Sequence, residues 1–433
     1  MKKVALHNLG CKVNAYETEA MQQLLEEAGY EIVPFDVGAD IYIINTCTVT
    51  NVADRKSRQM LHKAKKMNPK AIVAAVGCYA QAAGERLKED AAVDLIIGNN
   101  KKKDLIEILK AHEAGRQEEA LLDIHRTREY EALWMTRTAE HTRAYVKVQD
   151  GCNQFCSYCI IPYARGRVRS RSMADVRREI EELSANGYRE VVLTGIHLSS
   201  YGVDLEGETL LSLIQMVHGI PGIRRIRLGS LEPRIITEEF ARALAGMEKV
   251  CPHFHLSLQS GCNATLQRMN RRYSAEEYAE KCDLLRRVFE HPALTTDVIV
   301  GFPGETEEEF AQTVEFLKRI AFFETHIFKY SRRKGTKAAD MDNQIPESVK
   351  TQRSKVLQEL DRKNTEDYVM KQMGRQVEIL LEEEAKIDGV LYQVGHTKEY
   401  IKAAVIAEEN LINRIVPAKV ERLLGERLFL CKL

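Results

Sequence analysis

The chain has 433 residues, enough for about two to four domains and a sizeable core. Its 63 lysines and arginines match its 63 aspartates and glutamates, so net charge announces no polyanionic partner and any nucleic-acid signal must be local. The apolar runs are strand-length and no signal-peptide pattern opens the chain, so the expectation is a cytoplasmic protein without a membrane span, whose ten cysteines serve metal or catalysis rather than disulfides.

Residues 1–112 repeat strand, turn and helix. "KVALHNL" breaks at Gly10-Cys11 before the helical "AYETEAMQQLLEEAGY", and "DIYIINT" leads into Cys47 and a polar amphipathic helix through Lys66. "AIVAAVG" leads into Cys78, and "VDLIIGNN" precedes "KKDLIEILKAHE". This alternation predicts a parallel sheet with right-handed crossovers. Residues 113–142, rich in Glu and Arg with little periodicity, read as a linker.

A second series fills 143–372, with strands expected at 144–149, 190–195, 224–230, 253–259, 294–300 and 324–330. Eight strands would close a full barrel, whereas six suggest a partial (β/α)6 barrel. A long polar helix at 347–372 closes it. From 373 to 433 the chain breaks into short β-like pieces between Gly, Asn and Pro, which fit a small all-β barrel. The fold class is therefore α/β, with a parallel βα domain first and an all-β domain last.

The stretch "GCNQFCSYC" carries Cys152, Cys156 and Cys159 on one loop after a strand. Three thiolates can hold three corners of a 4Fe–4S cube and leave the fourth iron open. The alternative is a zinc knuckle completed by a distant His or Cys, although no paired CxxC is present. Cys11, Cys47 and Cys78 each follow a strand in three successive βα units, so their turns share one sheet edge. Either each is a small buried turn residue, or together they hold a second three-thiolate cluster.

CxxxCxxC with Tyr158 before its last cysteine, at the end of the first strand of a six-fold βα series, resembles the radical S-adenosylmethionine superfamily. "LGCKVNAYETE", "NTCTVT" and "VGCYAQ" resemble the amino-terminal domain of the methylthiotransferases. That family joins this domain to a radical S-adenosylmethionine domain and an RNA-binding TRAM barrel, and the resemblance spans essentially the whole chain. It implies two 4Fe–4S clusters. Cys152, Cys156 and Cys159 would hold the one whose open iron binds S-adenosylmethionine. Cys11, Cys47 and Cys78 would hold the auxiliary one, whose open iron carries the sulfur. S-adenosylmethionine would serve as methyl donor and as radical source.

By the same resemblance Thr194 and Gly195 would meet the cofactor's amino-acid groups, and Tyr158 its adenine through the backbone. Ser230, Glu232, Arg234, Gln259, Ser260, Asp297 and the turn 301–304 gather at strand ends, where barrel sites form. Glu232 and Gln259 stand out among them as cofactor-binding candidates. "PYARGRVRSRS" alternates Arg165, Arg167, Arg169 and Arg171, which suit phosphate contacts or a cofactor carboxylate, with Arg167 taken for the cofactor. "RKSRQMLHKAKKMNPK" is a second basic segment, and either could give electrostatic footing for RNA. His197 and His255 read as structural histidines. Cys251, Cys262, Cys282 and Cys431 lack ligand spacing, and Arg332 stands where the family more usually has proline.

"GCKVNAYETE" resembles the branch that modifies N6-threonylcarbamoyladenosine beside the tRNA anticodon, which implies methylthio insertion at C2. Sister branches modify isopentenyl-adenosine in tRNA or an aspartate of a ribosomal protein. The implied partners are a tRNA anticodon stem-loop, an electron donor such as flavodoxin or ferredoxin, and a sulfur donor. A non-catalytic, zinc-stabilised RNA-binding protein is the rival of a different class.

Overall fold

Apolar strands followed by two-faced helices set the first layer of the molecule. The computed structural model describes residues 1–116, 120–137, 142–425 and 427–433. Strands β1 (Lys3–Asn8), β2 (Glu31–Ile32), β3 (Ile41–Thr46), β4 (Ile72–Gly77) and β5 (Leu95–Ile97) form a parallel sheet in the order β2-β1-β3-β4-β5. Alternate side chains leave on opposite faces. Val4, Ile41, Ile43 and Val76 pack against α1 (Lys12–Glu27) and α4 (Leu105–Glu113), while Tyr42, Ile44, Val73 and Ala75 pack against α2 (Asn51–Met67) and α3 (Cys78–Lys88). A sheet covered on both faces explains why its strands read as continuous apolar runs. The two-residue β2 lacks such a run.

The segment 120–137 follows no regular element, yet it is not a solvated tether. Glu131 is fully buried and its carboxylate accepts the backbone N–H of Lys102 and pairs with its ammonium at 2.8 Å. Leu133 and Met135 join the core of the following domain.

That domain begins at β6 (Arg143–Asp150), continues through α5 (Ile161–Arg165), the short antiparallel β7 (Arg169–Ser170), α6 (Met173–Ala185), β8 (Glu190–Gly195), α7 (Leu210–His218), β9 (Arg225–Leu228) and α8 (Glu238–Ala245), and then reaches β10 (His253–His255). Next come α9 (Asn263–Arg268), α10 (Ala275–Val288), β11 (Ala293–Val300), α11 (Glu307–Ile320), β12 (Glu324–Lys329) and the closing α12 (Glu347–Met370). Strands β6, β8 and β9 pair in parallel, as do β10, β11 and β12. Single bridges Ile226–Val250 and Leu231–Leu256 join the two groups, giving six parallel strands as the spacing predicts. Strand β10 stops four residues short of the expected end. The reason is that Tyr278 and Thr296 hydroxyls donate to the Leu256 carbonyl, at 2.8 and 2.6 Å. The Thr306–Glu309 capping box that opens α11 is present as its sequence predicts.

Ala144, Val146, Val148, Val191, Leu193, Leu294 and Val298 face the helices and form the main core. The opposite, lumen face is therefore left to Arg143, Lys147, Glu190, Arg225, Arg227, His253, His255, Asp297 and His326. It is strongly polar.

The tail forms a closed five-stranded barrel from β13 (Gln376–Ile387), β14 (Val390–Thr397), β15 (Lys402–Val405), β16 (Ile415–Gly425) and β17 (Leu428–Lys432), in the order β13-β14-β15-β17-β16. Gly395 permits the β13–β14 crossing, since a Cβ there would lie 1.8 Å from the Leu380 carbonyl oxygen. The β14–β15 loop docks under the larger barrel. Arg225 donates to the His396 carbonyl at 2.9 Å and Arg227 to that of Lys398 at 2.9 Å. The Tyr400 ring lies 4.9 Å from the Arg143 guanidinium and 4.6 Å from that of Arg227, closing the lumen from below.

Candidate active site

Two cysteine triads stand at the carboxyl ends of two sheets, each placed by its own local logic. Cys152, Cys156 and Cys159 occupy the loop between β6 and α5, all three half-buried and free. Gly151 has φ +70°, and a Cβ there would lie 1.9 Å from the Arg167 carbonyl oxygen. Glycine is what lets the loop fold back on itself. Neighbouring backbone then pins it. Cys152 donates to the Gly166 carbonyl, Ser157 to that of Met269, and Ala338 to that of Ser157. Arg271 donates through Nη1 to the Cys156 sulfur at 3.3 Å.

Cys11 caps α1, Cys47 follows β3, and Cys78 opens α3, so the three lie at the ends of adjacent strands β1, β3 and β4. Asn14 stitches the first two turns, donating to the carbonyls of Leu9 at 3.0 Å and Thr46 at 3.1 Å. Gly77 has φ +90° and turns the chain so that Cys78 faces the same edge.

One arginine bridges the second triad and the segments that flank the first. Arg165, at the end of the helix that follows Cys159, donates through Nε to the Cys78 sulfur at 3.0 Å. Its other donors reach Glu17, Asp150 and Asn14 at 2.8 to 3.1 Å. Lys147 pairs with Glu17 at 2.8 Å and with Asp150 at 2.6 Å. With Lys102 and Glu131, three cations meet three carboxylates, all fully buried or nearly so. Burial alone would raise the pKa of Glu17 and of Asp150. Arg165 reverses this, aided by Lys147 and Lys102, and holds both well below the usual carboxylate range.

The thiols show the opposite effect. Burial raises Cys47 and Cys159 to about 12 and Cys152 to about 11. They are protonated at neutral pH in the metal-free chain, so loading a metal releases protons.

The other residues singled out in the sequence each have their own partners. Thr194 is buried at the end of β8, and Gly195 packs on Gln149, whose side chain accepts the His197 N–H at 2.8 Å. Glu232 pairs with Arg234 at 2.6 Å. Gln259 holds φ +74°, a conformation that costs energy in a non-glycine residue and recurs at functional sites. Tyr158 meets Phe302 edge-on at 6.4 Å. Arg167 is exposed and lies over the Phe155 ring at 4.6 Å. Arg165, Arg169 and Arg171 instead turn inward to the protein's own carboxylates. Burial lowers His197 to about 4, so the ring is neutral; its Nδ1 meets Ser200, while its buried Nε2 has no partner among the described residues.

Sequence reasoning passed over Asn14, Glu17 and Arg271. Proximity to Cys11 was the one signal for the first two; nothing local marks Arg271.

Residues 146–317 match the radical SAM superfamily, and residues 3–98 match the uncharacterized protein family UPF0004. Threonylcarbamoyladenosine tRNA methylthiotransferase MtaB of Bacillus subtilis is 40% identical over 97% of this chain and 94% of that protein. The protein of the same name from Aquifex aeolicus is 42% identical over 89% of this chain and 94% of its own. A tRNA-2-methylthio-N(6)-dimethylallyladenosine synthase of Clostridium tetani is 36% identical over 96% of this chain and 93% of its own. Among solved structures, the radical S-adenosylmethionine methyltransferase TsrM of Kitasatospora setae shares the fold, with TM-score 0.58 at 17% identity over 78% of this chain and 74% of that one.

The radical S-adenosylmethionine family works with that cofactor and a 4Fe–4S cluster. Three free thiols on one strand-end loop, with Arg271 donating to the Cys156 sulfur, suit such a pair. On this nearly full-length similarity the chain belongs to the radical S-adenosylmethionine methylthiotransferase family and is a transferase.

Proposed function

We propose that this enzyme inserts a methylthio group at C2 of N6-threonylcarbamoyladenosine beside the anticodon of tRNA. The observation that carries the reading is Arg165, which ends the helix after the loop of Cys152, Cys156 and Cys159 and bonds both Asp150 before that loop and Cys78 of the second triad. Insertion needs C–H activation and sulfur delivery within reach of one carbon, and a buried side chain that bridges the segments bearing the two triads supports that arrangement. Cys152, Cys156 and Cys159 hold one 4Fe–4S cluster, and Cys11, Cys47 and Cys78 hold a second. When bound, these clusters and S-adenosylmethionine supply the carbon-centred radical, the sulfur and the methyl group. Thr194, Gly195, Glu232 and Gln259 line the cofactor's place at the strand ends, with Tyr158 and Arg167 flanking it. Arg271 and Arg165 each offset negative charge on one thiolate set.

The domains fall at residues 1–112, 143–372 and 373–433, with 113–142 joining the first two. The exposed basic side chains Arg55, Lys56, Lys63 and Lys66 of α2, together with the C-terminal barrel, give the anticodon stem its footing. Among the described residues no helix is long and apolar enough to cross a membrane. The enzyme acts in the cytoplasm, with an electron donor of the flavodoxin or ferredoxin kind and a separate sulfur donor. The Clostridium tetani relative favours isopentenyl-type adenosine as a second reading.

Nucleoside mass spectrometry of tRNA from a strain lacking this protein tests the proposal. Loss of the 2-methylthio-threonylcarbamoyladenosine peak is expected. If that peak persists and the 2-methylthio-isopentenyl peak goes instead, the second reading replaces the first.

A further inference from the structure

Three adjacent parallel strands bring two imidazoles and a carboxylate to one patch of the barrel's polar face. In the register of β10, β11 and β12, His255 lies beside Thr295 and Asp297 lies beside His326. Thr295 and Asp297 are two residues apart, so their side chains leave β11 on the same side. Leu294 and Val298 leave it on the other, into the main core. His255 is thereby held at both ring nitrogens. Its Nδ1 meets the Thr295 hydroxyl at 3.0 Å and its Nε2 meets the Asp297 carboxylate at 3.1 Å. The His326 ring stacks on it with centres 5.6 Å apart. One nitrogen of each ring and one oxygen of Asp297 all lie within 4.8 Å of one another.

Two histidines and one carboxylate ligate both catalytic zinc and non-haem ferrous iron. Tetrahedral bonds of about 2.0–2.1 Å set ligand atoms about 3.3 Å apart, close to the 3.1 Å between His255 and Asp297. His326 is exposed, and neither of its ring nitrogens hydrogen-bonds to another described residue, so it is free to close on an ion. Thr295 engages Nδ1 of His255 and leaves Nε2 pointing into the cluster, as the supporting partner of a metal-bound histidine does. The charges agree. Glu17, Asp150, Glu190 and Glu382 each pair with a lysine or an arginine. Among the described residues Asp297 pairs with an imidazole alone.

We infer that His255, Asp297 and His326 form a binding site for a divalent transition-metal ion, whose remaining coordination positions open to the lumen for water or an oxygen ligand. The site uses none of the ten cysteines, and it is independent of the substrate proposed above. It also lies beside the cofactor candidates, since the Gln259 N–H donates to the Asp297 carbonyl at 2.8 Å. The rival is a bare ion pair between His255 and Asp297, in which His326 takes no part.

The test uses zinc on the anaerobically reconstituted enzyme, washed with EDTA and desalted so that the cysteine triads keep their iron. Titration calorimetry compares the wild type with His326→Ala, Asp297→Asn and Thr295→Val. Matched iron content and circular dichroism show that each variant is folded. The wild type should bind one equivalent of zinc. Zinc-edge X-ray absorption should then show nitrogen and oxygen ligands at about 2.0–2.1 Å, without the sulfur shell at about 2.3 Å that a thiolate site gives. His326→Ala and Asp297→Asn should each lose this equivalent, and Thr295→Val should weaken it by about tenfold or more. A sulfur shell, or unchanged uptake in either ligand variant, overturns the inference. No uptake by the wild type overturns it too, and leaves the bare ion pair.

Discussion

Cys152, Cys156 and Cys159 share a single loop, whereas Cys11, Cys47 and Cys78 meet only because three parallel strands end at one edge. The first triad is a property of local sequence and of a glycine that lets the loop fold under 166–167. The second exists only when the sheet β1-β3-β4 is assembled, with Asn14 tying its turns. A cluster on the loop would be lost by damage at one place; one held by the second triad would be lost by any change that loosens the domain.

The sharpest way to break this comparison is to remove thiols from each triad in turn. Alanine at Cys152, Cys156 or Cys159 should abolish both S-adenosylmethionine cleavage and product, and lower iron from about eight to about four per chain. Alanine at Cys11, Cys47 or Cys78 should remove a similar share of iron and all methylthio product, but leave cleavage of S-adenosylmethionine measurable by chromatography. Retained product in Cys78→Ala would refute a second cluster.

The next effect concerns the link between the triads. Arg165→Met leaves Glu17 and Asp150 buried with one cation fewer, and should cost about 3–5 kcal/mol in urea unfolding. Arg165→Lys keeps the charge but loses the fork, so it should fall between wild type and Met. A loss near zero would mean that the two domains dock without this network.

Acid should act on the same network. Glu17 and Asp150 are held well below the usual carboxylate range in the folded chain. Their contribution is therefore complete above an unfolded pKa of about 4 and is lost as pH falls toward the folded values. Urea midpoints should drop between pH 5 and pH 3 by more in the wild type than in Glu17→Gln; parallel curves would contradict this.

The smallest effect tests the far end of the barrel. Tyr400→Ala removes the ring between Arg143 and Arg227 and should cost about 1–2 kcal/mol. It should leave the iron held by Cys152, Cys156 and Cys159 unchanged, since their loop follows the far end of β6 from Arg143.

Much of this was legible in the sequence because it is local or periodic. Six βα units, the loop triad, the turn positions of Cys11, Cys47 and Cys78, and the Thr306 cap all follow from spacing. The fate of Arg165, Arg169 and Arg171 was not. Their alternation suits phosphate contacts or a cofactor carboxylate, but α5 aims Arg165 inward, and Arg169 and Arg171 also meet the protein's own carboxylates. The pairing of Lys102 with Glu131 depends on where the 120–137 segment runs, which no local pattern encodes.

The loop of 396–401 has a consequence for inheritance. One end of the barrel lumen is covered by the chain's last strands, through backbone carbonyls that hold Arg225 and Arg227 and a ring that separates Arg143 from Arg227. The C-terminal barrel is therefore not an interchangeable handle. A chimera that exchanges it for another small β-barrel would also strip Arg225 and Arg227 of these carbonyl partners, so the graft would have to carry this loop with it.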